Sequence, residues 1–435
     1  MSNQQVFCNT PWYELHIYWD GSLGICCQEA HKLYKETDQQ YNISKMTIAD
    51  WFNSEPVRNF RQGILGDQRR SECTRCYLEE NHGGHSRRLN SNQKSVIFTR
   101  TAFDESFKQS PGFKHFLLSA DQGYTDTHPI DLHIDLGNFC NLACKMCNAQ
   151  ASSTIASQEV KWGIESSRLF LGTNWTKDRT VWDNFKQQLL KIPNLNNIHF
   201  MGGETLLTDQ FEDFVDTMLE HNRTDLCFSF VTNGTTFRPA LLDKLKRFRR
   251  VGLEISIEAT TAHNTYVRQG TDTELVVTNI HRYLTWCNNT SITVALRPAP
   301  SLLTIGYYVS LLEFALEHKL VVKSNLCYDP RFLNAEMLPD KTKLLYRQYY
   351  LEFLKKLPAV SVDTDYNASD PNNYLLIIKE EVDMCLAILQ TPKPHDHDIQ
   401  LKQLIKHCKK WDNIYGYNAR ALYPELTEIF DYYDY

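Results

Sequence analysis

From about residue 131 onward, short apolar runs of strand length alternate with stretches whose apolar residues recur three or four apart. The runs at 131–136, 197–201, 226–231, 252–257, 291–297 and 321–326 predict strands. Between them 209–221, 239–250, 274–286 and 307–319 predict helices. Six such βα units in succession imply a parallel sheet. Right-handed crossovers of this kind close into a full or partial barrel, whose chemistry gathers at the C-terminal ends of its strands. Before residue 100 the pattern changes to short apolar pieces, many cysteines and the polar run NHGGHSRRLNSNQ, which suggests a small domain organised by metal. After about residue 341 the chain reads as mostly helical, interrupted at 362–373 and at TPKPHDHD.

The 435 residues are too many for one average domain. Hydrophobic content of 42% with 23% charged residues is ordinary for a soluble protein, and a net charge of −6 supplies no global attraction for polyanions. Nucleic acid is therefore not an expected partner. The start, MSNQQVFCNT, lacks the basic residues and apolar run of a signal peptide, and no window reaches the roughly 20 apolar residues that span a bilayer. The expectation is a cytoplasmic enzyme. Thirteen cysteines in such a chain point to metal ligation where they cluster, because cytosolic reductants keep thiols from pairing. Cys227, Cys287, Cys327, Cys385 and Cys408 stand alone and read as small core hydrophobes.

The segment IDLGNFCNLACKMCN sets Cys140, Cys144 and Cys147 directly after the first barrel strand, in the spacing C-x3-C-x2-C. Three thiolates on one tight loop bind three irons of a cubane and leave the fourth open to an amino acid's amine and carboxylate. Structural zinc takes four protein ligands, and no histidine or fourth cysteine follows within this loop.

This motif, at the end of a first strand in a chain of six βα units, resembles the radical S-adenosylmethionine (SAM) superfamily over roughly 131–340. The fold class it implies is α/β: a partial (β/α)6 TIM-type barrel with a small cysteine-rich N-terminal auxiliary domain and a mainly helical C-terminal extension. The resemblance extends to HFMGGETLL, where Gly202, Gly203 and Glu204 match the turn that binds the cofactor's methionine amine. Ser256 in EISIEA resembles the ribose-contacting serine, and Arg268 in NTYVRQG the arginine that meets the cofactor carboxylate. The residue before the third cysteine is usually aromatic and packs on adenine; here it is Met146, whose sulfur can contact a ring.

Near the start, Cys8, Cys26, Cys73 and Cys76 supply four possible ligands from three separated segments. Four thiolates suit a closed zinc site or a fully ligated [4Fe–4S] cluster, and spacing alone does not choose. The pattern C-x12-G-x4-C followed by C-x2-C resembles the twitch, or half-SPASM, auxiliary domain, placed here ahead of the barrel. Cys27, adjacent to Cys26, reads as a spare. The implied organisation is an auxiliary cluster domain at 1–95, a linker at 96–130, the barrel at 131–340 and the extension at 341–435.

The resemblance implies two [4Fe–4S] clusters, one binding SAM and one auxiliary, and reductive cleavage of SAM to a 5′-deoxyadenosyl radical. It also implies an electron donor such as flavodoxin or ferredoxin and a peptide or protein substrate. Modification of a small metabolite or nucleotide, and a non-catalytic iron–sulfur or zinc scaffold, are the alternatives.

Overall fold

The computed structural model describes residues 6–358 and 373–435, apart from 30–32, 35–39, 82–85, 95–122, 126–127, 173, 193–194, 196 and 434. Most of the expected linker and of the loop at 362–373 therefore lies outside the described residues. Its centre is an eight-stranded sheet. In chain order the strands are β1 (Glu14–Ile17), β2 (Leu23–Gly24), β3 (Asp131–Asp135), β4 (Ala143–Cys144), β5 (Asn197–Met201), β6 (Cys227–Thr232), β7 (Arg250–Ile255), β8 (Arg268–Gln269), β9 (Ile292–Leu296) and β10 (Val321–Val322). The main sheet runs β2-β1-β3-β5-β6-β7-β9-β10, and β4 and β8 form a separate antiparallel pair.

All six predicted strands are present, as β3, β5, β6, β7, β9 and β10, parallel to their neighbours. The fold is mixed α/β with a helical C-terminal region, consistent with a partial barrel. Beyond the sequence reading, β1 pairs in parallel with β3, Glu14 opposite Asp131 and His16 opposite His133, and β2 pairs antiparallel with β1. The N-terminal segment thus continues the barrel sheet.

Alternation along the strands separates two faces. Leu132, Ile134, Ile198, Phe200, Phe228, Phe230, Val251, Leu253 and Ile255 are buried against the surrounding helices. Phe200, Phe211, Phe214 and Phe228 meet edge to face within this layer, an arrangement favoured by the ring quadrupole. Leu15, Ile17, Ile25, Trp51 and Phe60 of the N-terminal segment belong to the same apolar core.

The opposite face of the sheet is polar yet buried. Register aligns Glu14 with Asp131 and Asn197, and His16 with His133 and His199. Such groups need partners at close range. Glu254 binds Arg297 at 2.7 Å and Lys323 at 2.8 Å, Nδ1 of His199 lies 2.6 Å from the Ser229 hydroxyl, and Arg87 is paired with Glu14.

Candidate active site

The loop after β3 carries the three central cysteines, and local contacts hold its shape. The Cys140 N–H donates to Ser153 Oγ at 3.2 Å, while the hydroxyls of Thr154 and Ser152 donate to the carbonyls of Cys140 and Leu142 at 2.6 and 2.7 Å. These residues open the helix Ser153–Lys161, so the helix start fixes the loop. Cys144 lies in β4, opposite Arg268 in β8. All three thiols are partly exposed.

Burial pushes Cys140 and Cys147 up to about 12, with repulsion from the neighbouring thiolates adding to it. Burial also raises Cys144, against the pull of Arg268. A site of three mutually opposed thiolates is completed by a strongly cationic group, and a cubane with one open iron matches that donor set.

The turn Gly202–Glu204 abuts the same loop. Gly203 has φ +59°, and a Cβ there would lie 2.3 Å from the Phe139 carbonyl oxygen, the oxygen that accepts the Glu204 N–H at 2.7 Å. Gly202 has φ +82°, and its Cβ would lie 2.7 Å from the Gly137 carbonyl oxygen. The glycines therefore let two backbones touch. The buried carboxylate of Glu204 accepts from Thr232 Oγ1 and Asn233 N at 2.6 Å and from Leu206 N at 3.1 Å. Burial raises its pKa against these bonds. Asn233 reaches back to Asn141 in the cysteine loop at 2.8 Å, giving the Thr232–Gly234 turn a bracing role.

Arg268 is buried and holds Glu258 Oε1 through Nε at 2.9 Å and Nη2 at 2.5 Å, with Nη1 3.8 Å from Cys144 Sγ. No motif or spacing pointed to Glu258. Ser256 follows β7, is buried, and is tied by its N–H to the Thr232 carbonyl at 2.8 Å. Met146 is partly buried against the main core. Lys145, between two of the cysteines, is buried, with its ammonium on the Tyr266 carbonyl and over the rings of Tyr266, Trp411 and Tyr417. The C-terminal extension thus grips the cysteine loop, a contact that sequence spacing could not reveal.

At the other end of the chain, Cys8, Cys26, Cys73 and Cys76 line one cavity, together with Thr10, Phe60, Glu72, Arg87 and Arg88. Burial raises all four thiols, and nearby thiolates raise Cys26, Cys73 and Cys76 further. Four convergent thiols fit a closed cluster site. Cys27 faces away, toward Glu14 and His133.

Among the described residues no helix is long and apolar enough to cross a membrane. Residues 134–293 match the family model of the radical SAM superfamily, and residues 8–77 match that of an iron–sulfur cluster-binding domain, SPASM. Comparison with curated proteins finds no match. Among solved structures, the chain is similar to native anSMEcpe with bound AdoMet (18% identity, 52% of this chain and 62% of that one, TM-score 0.39). It is also similar to SuiB of Streptococcus suis bound to S-adenosylmethionine (12% identity, 70% of this chain and 63% of that one, TM-score 0.36). The chain thus spans less than two thirds of either protein. The two matched domains imply [4Fe–4S] clusters. With its barrel strands, its three-cysteine loop and both matches in place, the chain contains a radical SAM domain preceded by an N-terminal SPASM/twitch iron–sulfur domain.

Proposed function

We propose that the enzyme modifies a peptide or protein by hydrogen abstraction, with Cys140, Cys144 and Cys147 holding the SAM-binding cluster and Cys8, Cys26, Cys73 and Cys76 an auxiliary one. When bound, the cluster on the central loop supplies an electron, drawn from a donor such as flavodoxin or ferredoxin, that cleaves SAM to the 5′-deoxyadenosyl radical. The observation that carries this reading is the contact of the Gly202–Glu204 turn with the three-cysteine loop. It sets a carboxylate and three thiols at one end of the sheet.

The chain's own groups hold the cofactor in place. A carboxylate offers about four lone-pair sites, and Glu204 uses three on Leu206, Thr232 and Asn233. The remaining site suits the methionine ammonium. Arg268 has five N–H donors; those not spent on Glu258 suit the methionine carboxylate. Ser256, at the end of β7, is assigned the ribose and Met146 the adenine. The proposed division of the chain falls at residues 95, 130 and 340, with β1 and β2 of the first segment extending the barrel sheet. A cytoplasmic setting agrees with clustered thiols that must stay reduced.

Anaerobically reconstituted protein given dithionite and SAM should release 5′-deoxyadenosine. Protein that holds four or more irons by the cubane count yet releases none would overturn the reading.

A further inference from the structure

Where β1, the turn after β2 and β3 meet, three side chains of different chemistry converge: Glu14, Cys27 and His133. One ligand atom from each lies within 4.8 Å of the other two. Glu14 and His133 are buried, and Cys27 is partly buried. Adjacent cysteines therefore serve two places, Cys26 the four-thiol cavity and Cys27 this trio.

We propose that Glu14, Cys27 and His133 bind a zinc-type divalent cation, a third metal centre separate from both clusters. One thiolate, one imidazole and one carboxylate form a mixed donor set that a borderline-soft d10 ion accepts, leaving one coordination position for water or another small ligand. A tetrahedral ion with bonds of about 2.0–2.3 Å holds its ligands roughly 3.3–3.7 Å apart. The Glu14 Oε1 to His133 Nε2 separation is already 3.7 Å. The Cys27 N–H donates to the same Oε1 at 3.3 Å, which holds the cysteine backbone against the carboxylate.

Charge favours occupancy. Two carboxylates, Glu14 and Asp131, share the guanidinium of Arg87, which leaves the group with one excess negative charge. A divalent cation bound by Glu14, Cys27 and His133 would supply the missing positive charge. Arg87 is the competitor, since its Nη2 lies 3.3 Å from His133 Nε2. It is bound to the other oxygen of Glu14, Oε2, and stands 3.6 Å from Asp131. Yielding at His133 costs it neither partner. His133 Nδ1 has no hydrogen-bond partner among the described residues, and Nε2 is the ring nitrogen that faces Glu14. The ion would join the N-terminal segment to the first barrel strand through side chains as well as backbone.

The test is elemental. Full-length protein purified anaerobically, dialysed against EDTA and analysed for zinc and iron should retain about one zinc per chain. Its zinc K-edge absorption should give one sulfur near 2.3 Å and nitrogen or oxygen near 2.0–2.1 Å. Cys27→Ser and His133→Asn should each lower zinc at least tenfold while iron stays at the wild-type count. Wild-type protein without zinc, a spectrum with no sulfur, or zinc unchanged in Cys27→Ser overturns the proposal. A four-sulfur spectrum does so too, by placing zinc in the cavity of Cys8, Cys26, Cys73 and Cys76. The wild-type spectrum decides the matter even if a variant fails to fold, and iron content separates this outcome from any failure of the radical reading.

Discussion

The two cysteine centres are built in opposite ways. Cys140, Cys144 and Cys147 lie on one short loop, whereas the four N-terminal thiols come from three segments and meet in a cavity walled by core residues such as Phe60. A loop whose shape is fixed by the adjoining helix start is set by local sequence. A cavity assembled from distant segments exists only once the fold does. The first centre should therefore fail alone, and the second should take stability with it.

Replacing Cys140, Cys144 and Cys147 together with alanine is expected to remove about half the iron, four of roughly eight atoms in two cubanes, and to abolish 5′-deoxyadenosine release, with little change in melting temperature. Replacing Cys8, Cys26, Cys73 and Cys76 should remove the other half and lower the melting temperature markedly. Iron analysis beside thermal melting reads both, and equal melting losses would erase the contrast.

Next in size is Arg268→Met, which strands the fully buried Glu258. Breaking a buried pair costs about 3–5 kcal/mol, and Arg268→Met with Glu258→Gln should recover much of it in denaturant unfolding. If the single variant is as stable as the wild type, β8 does not brace the central loop.

Gly203→Ala should cost about 1–2 kcal/mol for the left-handed backbone alone, and its methyl would press on the Phe139 carbonyl. Expected are weaker SAM binding, measured by calorimetry, and selective loss of the central cluster. Loss of iron from both centres alike would mean that the loop is not an independent unit.

The smallest effect concerns the polar face between the two centres. Burial, reinforced by Arg297 against the opposing Glu254, holds His199 down at about 3. A group lowered in the folded state gives stability that is complete above its unfolded value, about 6.5, and is lost as pH falls below it. Stability of the wild type should therefore fall from pH 7 to 6 by under about 1 kcal/mol for this residue. His199→Asn should flatten that slope, and parallel curves would remove His199 as the cause.

Much of the fold was legible because the barrel strands are short, apolar and regularly spaced. The central loop was legible because its ligands lie close together in sequence. β1 was missed among the cysteines, although its ELHI repeats the alternation of DLHID in β3 and NIHFM in β5, each with an inward histidine. That shared pattern was the available signal. Glu258, the grip on Lys145 and the Glu14, Cys27 and His133 trio arise from contacts across long separations, which periodicity does not encode.

The parallel pairing of β1 with β3 also bears on how the chain is made. Glu14 leaves the ribosome long before Asp131 exists, and a parallel strand gains its ladder only when its neighbour arrives. Until then the nascent N-terminal segment has an unpaired edge, open to association with other chains. The four thiols that line the N-terminal cavity, and the other residues that line it, all precede residue 95, so every wall of that cavity is synthesised before the first barrel strand. Synthesis of the chain therefore separates its two cysteine centres in time: the residues of the N-terminal cavity are complete before the sheet that β1 will join has begun to form.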